Sequence, residues 1–565
     1  MLQHFDKPYF TDPLIDNFVL DPLGTNAAVE SLYRSVFPGI NNVVAFIRVY
    51  SAICWMVRQI DDTARRKRAP DIEALSLHGL EKIQLLLSWH NVRQNIRGLA
   101  GGSRLYPKGR KKVPLSMKVI VGPQDQKAMG RNPDYEPSSG ANFLQAVQYG
   151  PSLINGMPCL KVTSILGAYL LTEAGEKLAD AYEQAIEEHP RRDWLADIGK
   201  LYVSDEEVAE MGGMLDLLNP SQGEIDAFTE QYYPASTDGL TFGPNWEYRH
   251  QGLTLALRAI YAEQQTRMHK AGVPENVIRF TMARGRTHDG SYELTLDDCA
   301  QAQSWWASLQ LRQYIRLAQG VLLRLCESWV HRAVVTNKPR EILDCAQGLG
   351  EKLLALLPEN ASKDVASLVM MLEDWRGNEP TLFAAGPTLE NTQRIESLLE
   401  SLLSVRYFAH NSEEEDQALR SVYIALLYCA SEAKNFRTDP YFDLALANEQ
   451  LTLGKLADVM SAHMYDSPAV FMAHVVQHYV LLQHFGIVQE RAARDGRSRY
   501  VLLKGDQGLE RTGNGESFVG IDLLTDRLRH ALLLAAQCDL LVQNEELGTF
   551  SLTPEGLRRL QQIAV

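Results

Sequence analysis

The opening of the chain predicts two helices separated by turns. Apolar residues recur every three or four positions from Ala27 to Val36, which is the pattern of an amphipathic helix. The turn-forming stretch 21–26 precedes this helix, and Phe37-Pro38-Gly39 ends it. From Val43 to Ile60 the sequence is apolar on most helical faces, so we expect a second, buried helix.

Two arginines, Arg48 and Arg58, interrupt the second apolar stretch. A buried charge is stable only when it is paired, so each arginine is predicted to pair with a carboxylate at the edge of the core. Contact with a bound anion is the alternative.

The middle of the chain, from about Arg191 to Met460, has helical periodicity almost throughout. Proline and glycine fall between the periodic runs, and no fixed repeat length identifies a solenoid. The clearest predicted helices are Leu253–Glu263, Ala300–Val335, Glu341–Leu357, Thr392–Ser404 and Asp416–Lys434.

A short pattern occurs twice at an offset of 381 positions. Glycine, an aromatic residue, Leu-Thr and a second glycine have identical spacing in Gly167–Leu178 and in Gly548–Leu560. The alternation predicts a short strand, after which Thr172 or Thr553 caps a helix. A helix and a hairpin are expected ahead of each copy, at Ala141–Tyr149 and Leu153–Val162 in one and at Asp526–Cys538 and Leu540–Glu545 in the other.

The order helix, hairpin and helix in both copies resembles the C-terminal half of a winged-helix module. That resemblance implies a helix in the DNA major groove and a wing on the backbone. Winged helices also bind proteins, and a chance similarity between strand-to-helix junctions is the other alternative.

These patterns predict a mainly α fold: a multi-domain helical protein with one or two winged-helix-like (α+β) modules. At about 150 residues per domain, 565 residues correspond to roughly three to four domains. The expected regions are an N-terminal helical region at 1–70, a basic loop plus winged-helix-like module at 71–190, an all-helical middle domain at 191–460 and a C-terminal winged-helix-like module at 461–565.

The charge distribution points to a nucleic acid. The chain has a net charge of −14, but Asn91–Arg131 carries ten basic residues and one acidic residue, and Arg491–Lys504 carries five and one. A local charge that opposes the sign of the whole chain favours contact with phosphates, whereas a solvated basic loop is the alternative. The candidate nucleic-acid-binding residues are Arg93, Arg97, Arg104, Lys108, Arg110, Lys111, Lys112, Lys118, Arg491, Arg494, Arg497, Arg499 and Lys504.

Composition favours a folded cytoplasmic protein. With 45% hydrophobic and 22% charged residues the chain is not disordered as a whole. The beginning of the sequence lacks the layout of a signal peptide, and no apolar run reaches the roughly 18 residues that span a bilayer, so no membrane contact is expected. Seven scattered cysteines favour buried thiols over disulfides.

The sequence carries no catalytic signature, so we expect neither a cofactor nor a metal. His474 and His478 have the i,i+4 spacing of a zinc pair, with His484 on the same predicted helix, but the glutamate of the H-E-x-x-H motif is missing. A structural or solvated pair is therefore favoured over a metal site. No P-loop and no G-x-S-x-G motif is present.

The opening sequence is similar to that of large uncharacterised bacterial proteins from anti-phage defence islands. The similarity departs from their pattern at Val49, and it carries over no catalytic residue. The residues concerned are Leu20-Asp21-Pro22-Leu23-Gly24, Leu32, Phe37-Pro38-Gly39, Ile47-Arg48-Val49-Tyr50-Ser51 and Trp55.

The sequence therefore predicts a non-enzymatic DNA-binding and scaffolding subunit of a bacterial multi-protein complex, with the resemblance implying anti-phage defence. Its basic segments would bind the DNA backbone, and its helical middle would bind other protein subunits. A metal-dependent nuclease or other effector enzyme with a dispersed site is one alternative. A transcriptional regulator with a helical sensor domain is the other.

Overall fold

The computed structural model describes residues 21–67, 71–96, 111–116, 149–165, 167–236, 240–337, 339–378, 412–446, 449–495, 500–512 and 524–563, and the positions 99, 109, 144, 386–387, 392–393, 402 and 520–521. The expected mainly α character is confirmed, with 64% helix and 7% strand. No helix in these ranges has the length and apolar character needed to span a membrane.

Two compact units make up the chain. The first unit contains Met1–Tyr33 and Asn276–Leu524, and the second contains Arg34–Glu275 and Thr525–Val565. Each unit is thus assembled from two separated stretches of sequence. The division into four consecutive regions stays a prediction.

The secondary-structure elements are numbered in chain order. The helices are α1 (Asn26–Val36), α2 (Ile47–Lys67), α3 (Ile72–Arg93), α4 (Glu173–Ile186), α5 (Arg192–Ala196), α6 (Asp205–Glu210), α7 (Gly212–Leu215), α8 (Gln222–Tyr232), α9 (Trp246–Gln265), α10 (Glu275–Arg284), α11 (Ala300–Val335), α12 (Ile342–Leu356), α13 (Glu359–Ser362), α14 (Val365–Asn378), α15 (Ser412–Asn435), α16 (Leu453–Ala462), α17 (Pro468–Val476), α18 (Leu482–Asp495), α19 (Leu528–Gln537) and α20 (Pro554–Ile563). The strands are β1 (Val113–Pro114), β2 (Leu160–Val162), β3 (Tyr169–Leu171), β4 (Tyr202–Val203), β5 (Val273–Pro274), β6 (Gly386–Pro387), β7 (Thr392–Gln393), β8 (Leu502–Gly505), β9 (Gly508–Arg511), β10 (Leu541–Asn544) and β11 (Thr549–Leu552). Shorter turns are π-helical at Ser152–Gly156 and Gln477–Leu481 and 3-10 helical at Phe436–Thr438.

The long helix α11 lies at the centre of the first unit. It packs against α12 and α15, and α15 packs in turn against α16. Helix α12 also packs against α17 at very short range. A Cβ atom at Gly350 would lie 2.4 Å from the carbonyl oxygen of Ala469, so this approach requires glycine.

Helix α2 has the corresponding place in the second unit. It packs against α3 and α4, and α4 packs against α8. Strands β2 and β3 form an antiparallel hairpin, and β1 pairs with β4. The largest sheet has the order β10-β11-β5 and is antiparallel, with α9 packed against β11 and against α20.

The first helix begins where the sequence predicts. The Asp21 carboxylate accepts hydrogen bonds from the backbone N–H groups of Thr25 at 2.8 Å and Asn26 at 3.2 Å, which satisfies donors that a helix start leaves unpaired. The second helix begins at Ile47 instead of Val43, because the Asn41 side chain accepts from the N–H groups of Val43 and Val44 and holds a turn there.

The repeated pattern forms the same local structure twice, as predicted. In each copy a hairpin leads into a threonine-capped helix: β2, β3 and α4 in one, β10, β11 and α20 in the other. Helix α19 precedes the second hairpin, within the predicted Asp526–Cys538. Most of Ala141–Tyr149, the helix predicted before the first hairpin, lies outside the described residues.

The cap threonines make matching contacts. The hydroxyl of Thr172 donates to the Pro158 carbonyl and accepts from the Gly175 N–H at 3.2 Å. The hydroxyl of Thr553 donates to the Asp539 carbonyl and accepts from the N–H of Gly556 at 2.9 Å.

The second glycine of the pattern is required for close packing. An added Cβ atom would lie 2.1 Å from the Cys159 carbonyl oxygen at Gly175 and 2.1 Å from the Leu540 carbonyl oxygen at Gly556. Since real Cβ atoms do not approach this closely, the two glycines let each helix start lie against its own hairpin.

Two predicted elements differ from the structure. The hairpin expected over Leu153–Val162 is instead a π-helical turn at Ser152–Gly156, which lies against Gly39 of another segment, followed by the short strand β2. The helix expected over Thr392–Ser404 starts instead with strand β7, which pairs with β6. Leu402 is the one other described residue of that stretch.

Both helix α2 arginines bind carboxylates, as predicted. Arg48 is buried, and its Nε lies 2.9 Å from Glu224 Oε1 while its Nη2 donates to Glu224 Oε2 at 2.9 Å. Glu224 also accepts from the backbone N–H of Ser221 in a capping box at the start of α8. Arg58 pairs with Asp180 on α4. The arginines thus join α2 to neighbouring helices.

A third arginine, Arg249 on α9, ties the second unit together through backbone carbonyls. Its guanidinium donates to Gly156 at 2.8 Å, Gln231 at 2.8 Å and Pro38 at 3.2 Å. Burial lowers the pKa of Arg249 to about 10, which leaves it charged at neutral pH. The sequence gives no sign of this role, because all the acceptors are main-chain atoms. The seven cysteines are all buried, as expected.

Candidate nucleic-acid interface

The structure describes part of the predicted nucleic-acid-binding set. Arg93, Lys111 and Lys112 are described in the second unit, and Arg491, Arg494 and Lys504 in the first. The remaining candidates lie outside the described residues: Arg97, Arg104, Lys108, Arg110, Lys118, Arg497 and Arg499.

One carboxylate holds two points of the basic segment. Asp205, the first residue of α6, lies 2.7 Å from Nη1 of Arg93, and its other oxygen accepts from the backbone N–H of Gly109 at 2.8 Å. Residues 93 and 109 are therefore fixed at the same place, although fifteen residues separate them in sequence. Arg93 is thereby engaged with an internal partner.

Beyond Gly109 the chain pairs with strand β4. Val113 and Pro114 form β1, and the N–H of Leu115 donates to the Leu201 carbonyl at 2.8 Å. This pairing places Lys112 beside Tyr202, with Nζ 4.3 Å from the ring centroid. An ammonium at that distance over an aromatic face is a favourable cation–π contact.

We refer to this region as the Lys112–Tyr202 surface and define it by five exposed residues. Its tyrosine side chain is 51% exposed, so part of the ring faces solvent. Exposed lysines can contact the phosphates of a nucleic acid, and an exposed aromatic ring can stack on its bases or contact its sugars. The five residues are Lys111, Lys112, Lys200, Leu201 and Tyr202.

A buried lysine positions the segment that carries Tyr202. Lys82 of α3 donates from Nζ to the carbonyls of Trp194 at 2.8 Å and Asp197 at 2.9 Å. Trp194 lies in the last turn of α5, and Asp197 directly follows that helix as its C-cap. Burial lowers the pKa of Lys82 to about 7. Neither Tyr202 nor Lys82 was among the candidates predicted from the sequence. Tyr202 lies about 70 residues after the basic segment, so the sequence alone does not show that the two come together.

The second basic segment is engaged differently. Arg491 donates to the Asp21 carbonyl at 2.6 Å and lies 3.3 Å from that residue's carboxylate. Lys504 lies 3.6 Å from Glu341 in an exposed pair, and Arg494 is exposed. Of these three residues, Arg491 helps to hold the start of α1 in the first unit.

The two hairpins differ in charge although their backbones correspond. The first exposes Lys161 on β2, whereas the second carries the exposed residues Glu545 and Glu546 at its tip. Phosphate would be attracted to the first hairpin and repelled by the tip of the second.

The histidines of the predicted i,i+4 pair do form a cluster. The rings of His474 and His478 have centroids 4.5 Å apart, and His463 joins them at 4.8 Å from His474. His484 lies elsewhere, between the Pro22 carbonyl and the N–H of Val501. In the described ranges no group of three or more His, Cys, Asp or Glu side chains is arranged to hold a metal ion.

Two residues of the acidic run at 413–416 form ion pairs within the first unit. Glu415 is buried and lies 2.7 Å from Nη1 of Arg332, and Lys352 binds Asp416 at 2.5 Å. These contacts join α15 to α11 and α12 within the first unit. The carboxylates of Glu415 and Asp416 therefore hold neighbouring helices together.

No family model matches the sequence, and neither a curated protein nor a solved structure matches it significantly. The functional argument therefore depends on the surfaces described above.

Proposed function

We propose that this protein is a DNA-binding and scaffolding subunit of a bacterial multi-protein complex and that it acts without catalysis of its own. The Lys112–Tyr202 surface is the observation that carries the proposal. On this surface, exposed lysines from the middle of the segment that carries a net charge of +9 lie beside a half-exposed tyrosine.

The two hairpin–helix copies support DNA as the ligand. Helix, antiparallel hairpin and capped helix is the arrangement of the wing half of a winged helix, and the second copy also has a third strand, β5, in its sheet. In that class of module the wing contacts the DNA backbone. Lys161 gives the first hairpin a charge that suits this role.

The net charge of −14 complements this assignment. Away from the basic segments the chain is acidic, so DNA is repelled from most of it and held at few places. The helical middle of the chain then serves to bind other subunits, and the similarity of the opening sequence connects the complex to anti-phage defence.

A salt titration tests the proposal. Purified chain is titrated against a fluorescent random-sequence duplex between about 50 and 200 mM salt, with and without Mg²⁺. We expect binding whose logarithm falls linearly with the logarithm of the salt concentration. A Lys111→Ala/Lys112→Ala variant should bind more weakly and should reduce the slope by about 2, because two phosphate contacts are lost.

A matched control removes the same charge elsewhere. Lys270→Ala/Lys363→Ala replaces two exposed lysines away from the basic segments and should leave both affinity and slope unchanged. Absence of binding at the lowest salt, or an equal effect of both double variants, overturns the proposal. Cleavage that requires Mg²⁺ would indicate the nuclease alternative, and strong preference for one sequence would indicate the regulator.

A further inference from the structure

The outer strand of the three-stranded sheet has one open side. In the order β10-β11-β5, strand β10 has β11 as its strand neighbour, and the described residues supply none on its other side. An edge strand presents backbone N–H and C=O groups that another extended chain can pair with. Proteins recognise extended peptides in this way.

Exposed apolar side chains accompany this edge. Val542 on β10 is 58% exposed, and Leu547 in the turn after it is 67% exposed. The other side chains of the turn are acidic: Glu545 and Glu546 are both exposed. The edge therefore combines backbone pairing groups, apolar contact area and negative charge within seven consecutive residues.

The first hairpin also exposes an apolar side chain, Val162 at 65%, but it differs from the second in charge. At the offset of 381 positions, Lys161 corresponds to Val542, and Ser164 corresponds to Glu545. The backbone geometry of the two copies matches, yet the second has an apolar residue for a lysine and a carboxylate for a hydroxyl. The surface of the second hairpin therefore lacks the positive charge that would attract phosphate.

We propose that β10 binds an extended segment of a partner protein, basic and apolar in sequence, which pairs with the strand as a fourth member of the sheet. Apolar side chains of that segment cover Val542 and Leu547, and its lysine or arginine residues lie beside Glu545 and Glu546. This interaction is independent of DNA binding by the Lys112–Tyr202 surface.

Charge argues against a second copy of this chain as the occupant. A centred antiparallel pairing of two β10 strands would place Glu546 opposite Asp539 of the second copy, and a parallel pairing would place the acidic turns side by side. Asp539 is exposed as well, so each arrangement brings like charges together. A basic segment removes this repulsion.

Fluorescence anisotropy with two labelled eight-residue peptides tests the proposal on the full chain. One peptide alternates lysine and valine, and the other alternates lysine and proline, which has equal charge but no N–H at every second position. The lysine–valine peptide should bind at least about tenfold more tightly. Val542→Lys should reduce its affinity by about tenfold, because it removes apolar area and adds a like charge to the edge.

Two further variants separate specific pairing from general attraction to an acidic protein. Glu545→Gln/Glu546→Gln should weaken binding severalfold at low salt, and it alters exposed side chains only. Val162→Lys makes the same replacement on the first hairpin, where Val162 is 65% exposed, and should leave the affinity unchanged. Equal binding of the two peptides, an equal effect of Val162→Lys, or a dimer in sedimentation that Val542→Lys dissociates would overturn the proposal.

Discussion

Thr172 and Thr553 lie 381 positions apart, and their hydroxyl groups make the same pair of hydrogen bonds to their own hairpin and helix. The spacing is preserved from 158–175 to 539–556 without insertion or deletion. In both copies one threonine hydroxyl and one glycine define the junction between strand and helix. The residues of the hairpin turns take no part in this junction, so they can differ between the copies.

Loss of a cap hydroxyl should destabilise the protein. Thr553→Val removes an acceptor for the Gly556 N–H, and we expect a loss of about 1 kcal/mol in the free energy of unfolding, as for other N-caps. Urea denaturation followed by circular dichroism measures it. Thr553→Ser keeps the hydroxyl and should lie within a few tenths of a kcal/mol of the wild type. Equal losses for serine and valine would contradict the capping role.

Replacement of the second glycine by alanine should destabilise the protein, because the steric clash outweighs the higher helix propensity of alanine. Gly556→Ala places a methyl group against the Leu540 carbonyl, and we expect destabilisation of about 1–3 kcal/mol. Gly486 in α18 is the matched control, since an added Cβ atom there meets nothing within 4 Å. Gly486→Ala should therefore stabilise by up to about 1 kcal/mol. Thermal unfolding midpoints should shift in opposite directions, and a shift of the same sign would be inconsistent with the packing described.

The buried guanidinium of Arg249 should be essential for the second unit. Arg249→Met leaves the carbonyls of Gly156 and Gln231 without their donor, and we expect a loss of about 3–5 kcal/mol in unfolding free energy. Arg65→Met is the control, because Arg65 is exposed, its partner Asp61 is partly exposed, and surface pairs of this kind contribute about 0–1 kcal/mol. Denaturant midpoints compare the two, and similar shifts would refute the assigned role.

Acid should destabilise the first unit through His484. Burial lowers the pKa of His484 to about 4, below its unfolded value of about 6.5. Its Nδ1–H donates to Pro22, and its Nε2 accepts from the N–H of Val501, which protonation would prevent. Stability is complete above about pH 6.5 and falls by up to about 3 kcal/mol as the pH drops to about 4, because the unfolded chain binds the proton first.

His484→Gln tests this dependence on pH. An amide can donate to Pro22 and accept from Val501 without taking up a proton, so the variant should lose much less stability between pH 6.5 and 4.5. His478→Gln, at an exposed ring, should retain the wild-type slope. Urea midpoints at the two pH values give the comparison, and parallel slopes for wild type and His484→Gln would exclude His484 as the cause.

Local features were predictable from the sequence and distant partners were not. Ala300–Val335 is helical over the predicted bounds, and both cap threonines were identified, because periodicity and capping depend on neighbouring residues. In contrast, Arg491 binds Asp21, 470 positions earlier, and Asp205 binds Arg93 across 112 positions. The sequence shows where basic residues are concentrated, but it does not show which of them form ion pairs with acidic residues elsewhere in the same chain.

The construction of the second unit determines when it can be completed during synthesis. Strand β5 pairs with β11. Strand β11 is synthesised only after Asn276–Leu524, the stretch of the first unit that lies between them in sequence. At about 5–20 residues per second, that interval is roughly ten seconds to a minute. Throughout it, the hydrophobic surface that α9 will present to β11 and α20 has no native cover. The synthesis of β11 and α20 therefore decides how long the earlier residues of the second unit depend on chaperones.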